Sequence, residues 1–208
     1  MDLSRPIASV MPNGHGAVLA VLARTDEGLS GRRISELTQG GLSQKGTNNI
    51  LTELVDSGIA LCQDAPPAKL YRLNRKHLAA NAIVVLSHLR RRLFQAIGNS
   101  ISLWKIKPQE VWVFGSAARG DGSTKSDIDI AIIRSDGIDS DDETWNSQLH
   151  LLSEDVLGWS GNHASILQYT VSEFSKLRTN GERVFEEILQ DGVKISLRPS
   201  EDLFESAI

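Results

Sequence analysis

A chain of 208 residues with an apolar fraction of 40% can build one large or two small globular cores. Its one cysteine, Cys62, excludes an internal disulfide and reads as a small apolar residue rather than a nucleophile, and no Cys/His cluster has metal-ligand spacing. The net charge of −4 divides unevenly: residues 1–98 carry 12 Lys/Arg against 7 Asp/Glu, and residues 99–208 carry 10 against 19. Such a split points to two modules with different partners, the basic one suited to nucleic acid. The longest apolar runs, 17–23 and 82–86, are too short to span a bilayer, and no signal-peptide pattern opens the chain. No membrane partner is therefore expected, and the expected location is cytoplasmic.

Residues 1–12, with Pro6 and Pro12, read as a loose leader. Val18, Leu19, Val21 and Leu22 recur at helical spacing, and Asp26-Glu27-Gly28 closes a first helix. Ser30 precedes a short second helix with Ile34 and Leu37 three apart, broken by Gly40-Gly41. A third helix is expected from Ser43 to Ser57, with Ile50, Leu51, Leu54 and Val55 on one stripe. Ile59–Cys62 and Leu70–Leu73 flank a turn-prone stretch and predict a β-hairpin. Three helices and a hairpin make a winged helix-turn-helix over residues 1–74. This order resembles the winged-helix domains of bacterial MarR- and ArsR-like regulators, and Leu70-Tyr71-Arg72-Leu73-Asn74 followed by His77 is similar to their wing-exit pattern. The resemblance implies that Ser43, Gln44, Lys45, Thr47 and Asn48 face the major groove of duplex DNA, and that Lys69 and Arg72 of the wing meet phosphates. It adds a homodimer to the expected partners, since such readers use paired half-sites. Dimerisation or substrate docking without DNA is the other use of the same fold.

Residues 75–98 read as one long connector helix, with Leu78, Ile83, Leu86, Leu89 and Phe94 on an apolar side. Arg90-Arg91-Arg92 reads as a solvated face, with a polyanion path as the alternative. Pro108 marks the start of the second domain, over 99–198. There Val111–Phe114 is an apolar β-prone run that stops at Gly115-Ser116. Alternation restarts at Asp127-Ile128-Asp129-Ile130. On a strand, Asp127 and Asp129 point the same way with Cα atoms about 6.6 Å apart, while Ile128 and Ile130 point into the core. Adjacent carboxylates repel unless a cation or solvent separates them. A hard divalent metal suits the pair, because Mg²⁺ takes a few carboxylate oxygens together with substrate phosphate oxygens. Gly115 lets backbone approach a phosphate, and Ser116 adds a hydroxyl at the start of a short helix.

Gly115-Ser116, ten further residues, then Asp127-x-Asp129 resembles the signature of the DNA polymerase β nucleotidyltransferase superfamily, particularly its minimal bacterial members, and Ala118-Arg119-Gly120 fits the fuller form. The resemblance implies an α/β (α+β) domain with a small mixed sheet flanked by helices. It also implies catalytic, metal-holding Asp127 and Asp129, a nucleotide site at Gly115, Ser116, Arg119 and Ser126, an NTP substrate, and Mg²⁺ or Mn²⁺ as cofactor.

Beyond an acidic loop at 136–143, a helix is expected from Trp145 to Trp159, a third strand from His163 to Val171, two short helices, an edge strand within 192–197 and a tail at 199–208. Most active members of the superfamily carry a third carboxylate on that third strand, and Gln168 is the residue aligned with it here. Glu173, Glu154 and His163 are the nearest substitutes, each with a solvated or structural role as the plainer reading. Two functions therefore stand side by side. One is Mg-dependent transfer of NMP from an NTP to a hydroxyl on RNA, protein or a small molecule. The other is a catalytically weak or inactive nucleotidyltransferase-like, DNA-binding regulator or toxin-antitoxin component.

Overall fold

The structure, a computed structural model, describes residues 1–38 and 41–198. Gly40 of the expected helix break and the expected tail at 199–208 lie outside the described residues. The described residues divide into two compact units, one within residues 5–89 and one of residues 1–4 with 90–198.

In the first unit, helix α1 (Gly14–Ala23) starts at Asn13, whose side chain accepts from the Gly16 N–H, and buries Val18, Leu19, Val21 and Leu22. Strand β1 (Leu29–Ser30) is too short to show alternation and was not expected. Ser30 caps α2 (Gly31–Leu37) and Ser43 caps α3 (Gln44–Asp56), each hydroxyl accepting an N–H three residues on. Strands β2 (Ala60–Ala65) and β3 (Ala68–Leu73) form the hairpin, in register from Ala60↔Leu73 to Ala65↔Ala68, and β1 adds to β3 to give the order β1-β3-β2. Ile34, Leu51, Leu54 and Leu73 close one core with the α1 residues.

Two expectations are corrected here. The leader is not loose: Leu3 is buried in the second unit, with its N–H on the Gly122 carbonyl at 2.9 Å, and Ile7 is buried within a 3-10 turn, Pro6–Ser9. The single connector helix over 75–98 is instead α4 (Ala80–Ser87) and α5 (Leu89–Ser102). Asn74 delays the start, its side-chain oxygen accepting from the Lys76 N–H and its amide donating to the Gly58 carbonyl, and Leu78 is left exposed. Ser87 marks the break: its hydroxyl donates to the Ile83 carbonyl at 2.7 Å, a back-bond that bends helices.

The second unit is a mixed α+β fold. It continues from α5 through β4 (Glu110–Phe114), α6 (Gly115–Arg119), β5 (Ile128–Arg134), α7 (Glu143–Ser160), β6 (Ala164–Thr170), α8 (Val171–Asn180), α9 (Arg183–Asp191) and β7 (Val193–Lys194). The sheet order is β6-β5-β4-β7, with β5 and β6 parallel and the other pairs antiparallel. β5 is covered on both faces, which is why it reads Ile-Asp-Ile-Ala-Ile-Ile rather than as clean alternation. Ile128, Ile130 and Ile132 enter a core with Leu93, Ile97 and Trp145. Ala131 and Ile133 face a second one with Phe114 and Ile188.

Candidate functional site

The antiparallel register sets Phe114, the last residue of β4, opposite Asp129 of β5. Gly115 then turns the chain with φ +64°, and a Cβ built on it would lie 2.5 Å from Asp129 Oδ2. The glycine is therefore needed twice, for a left-handed backbone and for room beside the carboxylate. Ser116, half-buried on α6, accepts at its carbonyl from the N–H groups of Gly120, Asp121 and Gly122, so the loop after the helix folds back on it.

Asp129 is half-buried and Asp127, one residue ahead of β5, is exposed. Burial raises the Asp129 pKa, the negative charges of Asp127 and Glu187 add to it, and a hydrogen bond from the Ser165 hydroxyl with the Arg119 charge offsets part of the rise. A cation between the two carboxylates would relieve this repulsion. Among the described residues no group of three His, Cys, Asp or Glu side chains is arranged to hold a metal. Two carboxylates fit Mg²⁺ when substrate phosphate oxygens complete its shell.

The other expected nucleotide contacts are already engaged within the chain. Arg119 bonds Asp121 at 3.1 Å and Asp191 at 3.5 Å. The Ser126 hydroxyl accepts from the Ser123 N–H, and its carbonyl accepts from Asn162. Asn162, 2% exposed, also donates to the Ser123 carbonyl, so it pins the loop leading into Asp127. The chain offers no local clue to this residue, because its partners lie 36 and 39 positions away.

Gln168 does not stand at a third-acid position. It pairs with Ile132, three residues beyond Asp129, so it belongs to the opposite face of the sheet, where its carbonyl accepts from the Trp145 indole N–H at 2.9 Å. The residue level with Asp129 on β6 is Ser165, and no acid shares its strand face. Of the substitutes, Glu173 forms a capping box with Thr170, Glu154 faces His150 on α7, and His163 is exposed.

In the first unit, Ser43, Gln44, Lys45 and Asn48 are exposed at the start of α3, Ser43 serving also as its cap. Thr47 is a correction: it is fully buried, with its hydroxyl unpartnered, and cannot reach a groove. α3 presents its 47/50/51/54 stripe inward, and a hydroxyl near the helix start looks outward in sequence only because threonine is small and polar. Lys69 and Arg72 are both exposed but stand on opposite faces of β3, three residues apart.

Residues 101–200 match the family Polymerase beta, Nucleotidyltransferase. The polymerase beta-like segment thus contains the turn, both aspartates and all of the four-stranded sheet. Searches of curated proteins and of solved structures returned no match. No helix among the described residues is long and apolar enough to cross a membrane.

Proposed function

We propose that the polymerase beta-like segment binds a nucleoside triphosphate with Mg²⁺ or Mn²⁺ and transfers its NMP to a hydroxyl on RNA, protein or a small molecule. The observation that carries this is the packing of Asp129 against the left-handed Gly115 turn, with Asp127 two residues away. The acceptor hydroxyl oxygen forms a bond to the α-phosphorus and releases its proton to water, the bond to the β-phosphate oxygen breaks, and pyrophosphate leaves with its electron pair. When bound, the metal supplies positive charge to the triphosphate oxygens and acidifies the attacking hydroxyl. The chain's own part is positioning. Asp127 and Asp129 provide the anionic donors, Gly115 keeps their approach open, the Ser116 hydroxyl donates to a phosphate oxygen, and Asn162 holds the loop ahead of Asp127.

Titration of each NTP with MgCl₂ into wild type, Asp127→Asn and Asp129→Asn by calorimetry tests this, alongside transfer of labelled NMP to acceptors in a lysate. Binding lost in both variants, with label transferred by wild type alone, supports the reading. A wild type that binds no NTP overturns it.

Ser165, standing level with Asp129 where a third acid would be, favours a second reading: nucleotide binding with slow or absent transfer, in a regulator. NTP binding without any labelled acceptor would select it. We further read the first unit as a winged helix that binds duplex DNA through Lys45 and its exposed neighbours, as a homodimer. Loss of affinity in Lys45→Ala, with a salt slope lower by about 0.9, would support this, and salt-independent or absent binding would not.

A further inference from the structure

We infer that Arg90 is an anion-binding residue of the signature turn, supplying a phosphate contact beside the one Arg119 can offer. The inference rests on the proposed NTP site but concerns a residue ahead of the matched segment, which begins at residue 101.

Arg90 lies in the first turn of α5 and reaches Gly120, the residue that ends α6. A Cβ built on Gly120 would fall 1.6 Å from Arg90 Nη1 and 2.8 Å from its Cζ, so the guanidinium rests on the bare Cα of a glycine whose φ is +77°. Alanine there would be strained by the backbone and blocked by the arginine together. The packing is close on a turn whose next glycine, Gly122, lies against the Ser116 hydroxyl, 3.1 Å from where its Cβ would be.

What that guanidinium lacks is a partner. It is half-buried, yet among the described residues it makes no hydrogen bond or ion pair, whereas Arg119 already pairs with Asp121 and Asp191. A guanidinium carries five N–H donors in a planar fork, and in a half-buried place those donors are left to water unless a ligand takes them. A ligand that fits the fork is anionic and rich in acceptor oxygens. A phosphate matches the fork bidentately. A carboxylate from the chain would match equally well, and the described residues place none on Arg90. The triphosphate of the proposed substrate is the anion this turn already faces through Ser116.

Arg90→Ala and Arg90→Lys are compared with wild type in the intact chain, with ATP, GTP, CTP and UTP in MgCl₂, the matching monophosphates, and inorganic triphosphate as probes. Arg90→Ala should weaken triphosphate binding about 10- to 100-fold, the scale of one charge-assisted bidentate contact, with a smaller loss for monophosphates. Arg90→Lys should recover part of the affinity, since it keeps the charge and loses the fork. The melting temperature of Arg90→Ala without nucleotide should hold or rise, because an unpaired charge is removed. A purely structural arginine gives the reverse pattern, a lower melting temperature with unchanged triphosphate affinity, and overturns the inference. Equal triphosphate binding by wild type and Arg90→Ala overturns it while leaving the proposed function standing. A wild type that binds neither nucleotide nor inorganic triphosphate overturns both.

Discussion

Gly115 and Thr47 show how much a single position can carry that its residue type does not announce. Any side chain at Gly115 meets Asp129 Oδ2 at 2.5 Å and must also adopt φ +64°, so Gly115→Ala should cost about 2 kcal/mol or more and push the carboxylate from its place. Urea denaturation reads the first effect, and weakened NTP binding reads the second. If stability and binding both hold, the turn is more pliable than its contacts imply. Thr47 predicts the opposite sign. Its buried hydroxyl has no partner, so Thr47→Val removes a desolvated polar group at nearly constant shape and should stabilise the chain by up to about 1 kcal/mol, with duplex affinity unchanged. A loss of stability would show that the hydroxyl is satisfied after all. The candidate site is legible where spacing encodes it: Gly115, Ser116, Asp127 and Asp129 follow one another through a turn of fixed length. Asn162, Ser165, Glu187 and Arg90 join them only through register and packing, and no period in the chain points to them.

At the scale of elements, hydrophobic pattern located most helices and strands but not the events that cut or align them. The apolar stripe runs on from α4 to α5, and the break falls at Ser87, whose back-bond to Ile83 leaves hydropathy untouched. Gln168 stands on the other face from Asp129 because strand register is a non-local quantity and a three-residue offset reverses the face. α8 offers a test of a different local device. Thr170 accepts from the Glu173 N–H and Glu173 accepts from the Thr170 N–H at 2.7 Å, while Asp136 accepts from the N–H and hydroxyl of Ser172. These bonds hold both carboxyls below their ordinary values of 4.5 and 3.8, with the backbone bond the main cause in each. A carboxyl whose pKa is depressed by folding lends stability that is complete above its unfolded value and is lost as pH falls through the folded one. The first turn of α8 should therefore loosen below about pH 4.5, first through Glu173 and then through Asp136. Hydrogen exchange corrected for intrinsic rates should show α8 amides losing protection ahead of α7, and Glu173→Gln should flatten that dependence. Thr170→Ala should cost about 1 kcal/mol, the usual worth of such a cap. Equal loss of protection in α7 and α8 would show that the capping box does not govern the helix end.

For the whole molecule, the uneven charge has a packing counterpart in separate buried clusters, one built on α1, α3 and the hairpin, the others on the four-stranded sheet. Each unit encloses its own large side chains, and a domain that buries its own core can melt by itself. Leu51→Ala places a cavity at a fully buried position of the first unit and should cost about 2–5 kcal/mol there. If the two cores are energetically separate, the variant should unfold in two steps by hydrogen exchange or calorimetry, with amides of α1 and α3 exposed first and those of β4 and β5 keeping wild-type protection. NTP binding should persist through the first step, because Ser116, Asp127 and Asp129 belong to the other unit. One shared transition, with nucleotide binding lost at the same temperature as α3, would instead mean that the units form a single cooperative body, and that the basic half communicates with the proposed nucleotide site through stability itself.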